Sequence, residues 1–528
     1  MATPLDPVME AIRQAARAND PHAAMSLVRG WDFSRMTSGV CFEFGIELQE
    51  LGAYAASSKM LEIASDAEPD NAFFAINTAT TLQNYCDNIG SLKFLDRVLA
   101  NPDPTYHVAA LRLKQFALLY TGSNYDAERA LVTDTLVNQE IRPWLKLRPA
   151  MRAPTVDRLR VGYVFSLWSK PAYFDVLHPF LIQHTQDRID VFCYHFGESV
   201  PAGLPADVRA SPITWRLLST DEAIAAEQIR ADNLDIVVNC DAFHADVKTI
   251  LFAHRPAPIQ VLWYNIADSS RAPMVDAVIL DNEFLSDADR GAWTETVFRL
   301  PRPSIAITPA TDLPDPGPLP MLKNGWVTFG IFARPDKFTV QSAQIWRRVI
   351  DAVPGSQLYL SHGNHGTRDQ VFRITELLDT AGIPATRFAF RSHLIGGKAD
   401  FFSEYKKVDL VLDSFPFTGG QTTLDALSMS IPVVTYPGTS LPSRMASGLL
   451  SGSGWAELVA PDADGFVDLA VALASDPAWL ADLRADIRPR FLASPMCDMS
   501  DFAREIGACY RHIYAWIAAK PDTRFEAP

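Results

Sequence analysis

A single pattern that occurs twice constrains the fold of this chain most. From Arg158 onward, short apolar runs of strand length alternate with segments of helix length: RLRVGYVFS, IDVFCYHF, TWRLL, DIVVNCD, IQVLW and VDAVILD. A proline-rich stretch, PRPSIAITPATDLPDPGPLP, interrupts them, and a second series follows: VTFGIFA, QLYLSH, RFAFRSH, VDLVLDSF and IPVVTYP. Short apolar strands separated by helices build parallel sheets, because parallel neighbours need a crossover between them. Two such series predict two doubly wound α/β lobes, 155–305 and 326–528, joined by a linker at 306–325. Ligands of such sheets bind at the carboxyl ends of the strands, here in a cleft that the two lobes face. After about Asp464 only helical periodicity remains, read as the closing helices of the second lobe.

Residues 1–150 differ in kind. Their apolar positions recur at three and four, with Pro or Gly at the breaks, which predicts helices only. The stretch LGAYAASSKMLEIASDAEPDN, Leu51 to Asn71, carries the small residues and Gly-x-Tyr of a tetratricopeptide unit and closes on Pro69. Pro102 falls one repeat later, and Tyr125 and Ala127 echo Tyr54 and Ala56. A plain helical bundle shares the periodicity, but recurrence in phase favours repeats, and repeat arrays present extended surfaces to protein partners.

Charge and cysteine usage exclude some functions. A net charge of -15 argues against nucleic-acid binding, which needs clustered Lys and Arg. The six cysteines are scattered with no C-x-x-C pair, so neither a disulfide framework nor a zinc site is expected. The N-terminus shows no apolar secretory core and apolar runs stay under ten residues. These features predict a cytoplasmic protein without a membrane span.

The most informative segment is DSFPFTGGQTTLDALSMSIPVVTYPG, Asp413 to Gly438. A strand ends near Phe415, Gly419 and Gly420 form a turn, and a helix should start near Thr422. Glycines allow close backbone approach, and N–H groups at a helix start attract a diphosphate. Asp425, one turn in, has the reach for a ribose diol. Thr422 with Asp425 is also an S/T-x-x-D/E capping box, which needs no ligand. Both readings are compatible. The pairs Asp287/Asp289 and Asp462/Asp464 are chance matches of an acidic chain, and no metal site is read from them.

These residues resemble glycosyltransferase family 41, the O-linked N-acetylglucosamine transferases and their SPINDLY-type relatives. The resemblance rests on FPFTGGQTTLDALSMSIPVVTYPG, HRPAPIQVLW (His254 to Trp263), RVGYV (Arg160 to Val164), FGIFARPDKFTVQSAQIW (Phe329 to Trp346) and PGTSLPSRMASGLLSGSGWAELVA (Pro437 to Ala460). It implies a GT-B fold behind tetratricopeptide-like repeats. It also implies transfer of a sugar, with inversion and without a metal or other cofactor, from a nucleotide-sugar donor to Ser or Thr of a protein held by the repeats. Lys337 falls on the lysine that steadies the leaving diphosphate. Gly419, Gly420, Gln421, Thr422 and Thr423 fall on the phosphate-binding turn, Asp425 on the ribose contact, and Phe332 and Arg334 on the nucleotide-sugar side. Arg444 matches a position of structural role.

The family pattern also breaks. The histidine expected after RVGYV is replaced by SLWSKPAYFDVLHPF, with Lys170 and Pro171, and His178 belongs to a helix. YNIADSSRAP has no glycine where a glycine-rich loop is expected. The histidine expected before VDLVLDSF is missing near Phe401. Three explanations stay open: another donor sugar, another base such as Asp241 or His244, or an inactive adaptor that binds its partner through the repeats. The pairing of repeats with a transferase, shared with bacterial relatives, makes a bacterial protein such as flagellin one expected acceptor.

Overall fold

The computed structural model describes residues 7–33, 36–152, 158–166, 168, 176–196, 204–241, 249–310, 313–361, 368–391 and 398–519. It divides into two compact units, neither contiguous in sequence. One holds 1–132, 317–419 and 463–477, the other 133–316, 420–462 and 478–528. The change at 316/317 falls inside the proline-rich stretch, while the other boundaries cut across the sequence segments read above.

The first unit opens with helices α1 (Pro7–Arg17), α2 (Pro21–Arg29), α3 (Ser38–Glu50), α4 (Tyr54–Ala67), α5 (Ala72–Asn84), α6 (Asn88–Ala100) and α7 (His107–Leu118); α8 follows at Asp126–Leu136. Helix α3 starts at Ser38 and α5 at Ala72, α4 at Tyr54 and α6 at Asn88, each thirty-four residues later, the tetratricopeptide period. The caps repeat too: Thr37 accepts from Val40 N at 3.4 Å and Asn71 from Phe74 N at 3.1 Å. Pro69 and Pro102 stand in the turns after α4 and α6. The small residues of α4 let α3 approach closely, and Ser57 Oγ donates to Gly45 O at 2.7 Å. The third echo slips by one position, because a turn at Ser123–Tyr125 places Tyr125 just before α8 whereas Tyr54 opens α4.

A helix from the same unit, Arg368–Thr380, packs on these repeats. Its Phe372 joins their apolar core, Asp369 accepts from Ala55 N at 2.7 Å, and Arg373 pairs with Asp87 at 3.3 Å.

The second unit contains a parallel seven-stranded sheet: β1 (Leu159–Val164), β2 (Ile189–Phe196), β3 (Thr214–Leu218), β4 (Ile236–Asn239), β5 (Ile259–Leu262), β6 (Ala277–Leu280) and β7 (Val297–Arg299), ordered β3-β2-β1-β4-β5-β6-β7. Alternate side chains serve opposite faces, as the pleat requires. Val161, Tyr163, Val191, Cys193 and Val238 enter one core cluster, and Val164, Phe192, Tyr194 and Val237 the other. The glycine of the RVGYV motif is fixed by crowding, since a Cβ at Gly162 would come within 2.7 Å of the Tyr194 ring. Chain order assigns the last helix, Met499–Ala518, to the second lobe. Its apolar stripe of Phe502, Ile506, Tyr510 and Ile513 packs instead against this first sheet, because that face offers the matching apolar surface.

The first unit carries four further parallel strands, β8 (Thr328–Ile331), β9 (Gln357–Leu360), β10 (Phe388–Phe390) and β11 (Leu410–Leu412), in the order β10-β9-β8-β11. Both sets reverse their direction of growth at one place. In the first sheet it lies between β1 and β4, and in the second between β8 and β11. Loops leaving the carboxyl ends at such a switch point diverge and leave a crevice.

Replacing Ile506, fully buried beneath the first sheet, by Ala should cost about 2–5 kcal/mol. The test is urea unfolding, where an unchanged midpoint would show that the terminal helix does not hold this sheet.

Candidate functional site

The loops after β8 and β11 leave the second sheet on the two sides of its switch point. Strand β8 runs through Phe332 and Arg334 into a short turn, Pro335–Lys337, and helix Val340–Ala352 follows. The start of that helix fixes the loop after β11. Thr339 Oγ1 and Ser342 Oγ each donate to Phe415 O at 2.7 Å, and Trp346 Nε1 donates to Asp413 O at 2.8 Å. The Phe415–Pro416 peptide is cis.

Lys337 closes this arrangement. Its Nζ donates to the Thr418 carbonyl at 2.6 Å and lies 4.3 Å from the centre of the Phe417 ring. Only 8% of the residue is exposed. Burial, and after it the nearby Arg334 guanidinium, push the ammonium down to about 7, against the pull of Asp413 and Asp336. Asp413 shapes the turn itself: its Oδ1 accepts from Ser414 N and Gly419 N, both at 2.8 Å. The Gly419 N–H expected to meet a phosphate is therefore folded onto a carboxylate.

Of the other expected residues in this unit, Phe332 is buried and stacked on Tyr405 at 4.0 Å, as a core aromatic is. Arg334 Nη2 donates to the hydroxyl of Tyr120 at 2.9 Å, and Tyr120 stacks on Phe417 with ring centres 5.4 Å apart. Sequence reasoning passed over Asp413, Phe417 and Tyr120. The first two stand inside the segment it singled out, where an acid at a strand's carboxyl end was an available signal. Tyr120, just beyond α7, carries no signal in the sequence.

The remaining expected residues belong to the second unit. Helix Gln421–Ser428 starts one residue earlier than read, with Gly420 as its N-cap and no side-chain cap. The capping box of Thr422 and Asp425 is thus not formed. Thr423 N and Leu424 N donate to Gly420 O at 3.0 and 3.3 Å, and a buried Asp425 accepts from Gln421 Nε2 at 3.0 Å. Arg444 Nε donates to Glu283 O at 3.0 Å, a pin between two backbone segments.

Asp241 lies just past β4, at the switch point of the first sheet. It is buried, accepts from Ser166 N beyond β1 at 2.7 Å, and is pushed up to about 6 by burial. A carboxylate with that affinity for protons, at a strand's carboxyl end, suits general base work near neutral pH. His244, Lys170 and Pro171 lie outside the described residues. His178 sits on helix Leu177–His184, as expected, and is buried beside Trp168. Among the described residues no cluster of three or more His, Cys, Asp or Glu is placed to hold a metal ion, and no helix is long and apolar enough to cross a membrane.

The buried lysine carries a testable sign. Its proton affinity is lowered on folding, so between about pH 7 and its ordinary 10.5 the unfolded chain binds more protons and stability rises with pH. Lys337→Met should lose that rise in denaturation measured at pH 7 and pH 9.5. Equal slopes in both proteins would show that the ammonium is not desolvated.

Comparison with known proteins agrees with this layout. The chain is 32% identical over 301 residues to the probable UDP-N-acetylglucosamine–peptide N-acetylglucosaminyltransferase SPINDLY of Petunia hybrida, a match that covers 57% of this chain and 32% of the relative. It is 22% identical over 374 residues to the probable UDP-N-acetylglucosamine–peptide N-acetylglucosaminyltransferase SEC of Arabidopsis thaliana, covering 69% of this chain and 38% of that one. The matches thus span about a third of these relatives' length. A lysine-to-methionine mutant of the O-GlcNAc transferase from Thermobaculum terrenum superimposes with a TM-score of 0.79 at 26% identity, covering 98% of this chain and all of the other. The model of glycosyl transferase family 41 matches residues 142–298 and 321–506, more than half of the sequence. With its repeat-like helices and two parallel α/β sheets of GT-B type, this chain belongs to glycosyl transferase family 41.

Proposed function

We propose that this protein transfers a sugar from a nucleoside-diphosphate donor to a hydroxyl of a protein acceptor, in the cytoplasm and without a cofactor. The observation that supports it most is the Lys337 ammonium, held on the Thr418 carbonyl at the switch point of a parallel sheet. When the bond between sugar and diphosphate breaks, negative charge accumulates on the departing phosphate. A positioned ammonium with little water around it lowers the energy of that state more than that of the bound donor. Lys337 has further N–H donors beyond the one on Thr418, and their natural partner is a phosphate oxygen.

The resemblance assigns Gly419, Gly420, Gln421, Thr422 and Thr423 to the same donor and Asp425 to its ribose. The Gln421–Asp425 bond, at 3.0 Å, is one a sugar hydroxyl can replace. On the acceptor side Asp241 is the base, taking the proton of the attacking hydroxyl. The relatives are named for transfer of N-acetylglucosamine from UDP to peptides. The histidines and glycine-rich loop missing from this chain favour a different sugar, and the repeats favour a protein acceptor, with a bacterial protein such as flagellin as one candidate.

A non-catalytic adaptor is the second reading. It draws on the Gly419 N–H and Asp425 being already engaged within the protein. Binding of UDP, GDP and CMP, followed by thermal shift beside Asp425→Ala, separates the two. Stabilisation by one nucleotide that vanishes in the variant supports the transferase, and no response to any of the three supports the adaptor.

Turnover by Lys337→Ala should fall ~10²–10³-fold, the usual loss for one preorganised charge-stabilising donor. The pH dependence of kcat/KM is a second check. Activity should rise through about 6 as Asp241 ionises and fall above about 7 as Lys337 loses its proton. Asp241→Asn should remove the acid limb. A profile flat from pH 5 to 9 would remove both residues from the mechanism.

A further inference from the structure

Tyr120 touches both neighbours of the buried lysine, although it comes from the repeat region and no family motif includes it. Its hydroxyl accepts from Arg334 Nη2 at 2.9 Å, and its ring stacks on Phe417, centres 5.4 Å apart and planes 28° from parallel. Phe417 is the ring over which the Lys337 ammonium sits, and Phe417 immediately precedes Thr418, whose carbonyl that ammonium holds. Tyr120 is 1% exposed, so the contact is a packed one with a single geometry.

We propose that Tyr120 is a positioning residue for Lys337, through which the repeat region sets the geometry of the diphosphate-holding loop. The inference rests on the diphosphate reading of Lys337 given above. Two contacts would carry the effect. The hydroxyl fixes the Arg334 guanidinium, a cation whose field acts on the Lys337 ammonium. The ring fixes Phe417 and with it the carbonyl that orients the ammonium. Removing the hydroxyl while keeping the ring leaves the packing intact and removes the hydrogen bond to Arg334.

The charged or titratable groups around Lys337 are Arg334, Asp336 and Asp413. Cys86 and Tyr120 stand next to Asp336 and Arg334. Asp336 also lies near Tyr120, but it is Arg334 that donates to the Tyr120 hydroxyl, so the influence of Arg334 is the one most altered. A guanidinium that loses this hydrogen bond is held less firmly beside the lysine and lowers its proton affinity less, so the ammonium keeps its proton to higher pH.

The test is nucleoside diphosphate binding by calorimetry, with UDP and GDP as probes, between pH 5.5 and 9 on the full chain. Tyr120→Phe should bind about three- to tenfold more weakly at pH 6, the scale of one ordinary hydrogen bond. The pH at which affinity declines should move upward. In an Arg334→Met background Tyr120→Phe should add nothing, which a general loss of packing would not reproduce. Thermal melting shows whether each variant is folded. Arg334→Met alone, which removes the same hydrogen bond from its other end and leaves the Tyr120 ring in place, gives the same comparison if Tyr120→Phe is unstable. If wild type binds and Lys337→Met does not, yet Tyr120→Phe matches wild type in affinity and pH dependence, the positioning role is overturned alone. If wild type binds neither nucleotide, the diphosphate reading fails and this inference with it.

Discussion

A buried ammonium group organises the loops at the carboxyl end of the second sheet. Lys337 donates to the Thr418 carbonyl at 2.6 Å, and that carbonyl belongs to the turn Asp413 shapes from inside. Removing a charge from water is costly unless polar partners replace the lost hydration. Here a carbonyl and an aromatic face do so incompletely, which is why the lysine holds its proton less firmly than in water. A group so placed gains from any anion that arrives beside it. In the proposed transferase the anion is the donor's diphosphate, and the free energy of completing the lysine's surroundings is released as charge develops on it.

The two sheets apply one rule of topology to two tasks. Each reverses its strand order once, and each puts a titratable side chain with an altered proton affinity at that point: Asp241 beyond β4 and Lys337 beyond β8. Burial raises one and lowers the other, since it disfavours the charged form of both. In the proposed transferase the base takes the proton of the acceptor hydroxyl, and the cation meets the negative charge left on the departing diphosphate. The helix Val340–Ala352 shows how the backbone supports this. Its first turn donates to Phe415 O, so the loop is held by the scaffold and not by the ligand.

Much of the fold was legible in the sequence. All six strands expected in the first series correspond to β1–β6, because each is a short apolar run, and all but the edge strand β3 are buried on both faces. Strand β7 was not legible, because its Val-Phe-Arg lacks the longer apolar run that marks the equally short β11. The repeats were legible because Pro69 and Pro102 end successive units at the same phase. The terminal helix was not, because packing a C-terminal element on the first sheet is a contact between distant parts of the chain. The Gly419 turn was marked by local motif, and Lys337 only by the resemblance to family 41. Tyr120 and the inward turn of Asp413 were not, since each depends on which side chain fills a space that only the folded chain defines.

The central claim is that the Lys337 ammonium and the turn after β11 hold a pyrophosphate. A crystal structure of the protein with a bound nucleoside diphosphate tests it most directly. A phosphate oxygen within hydrogen-bond distance of Lys337 Nζ is the predicted result. A nucleotide bound elsewhere, with Lys337 still occupied only by the Thr418 carbonyl, would contradict it.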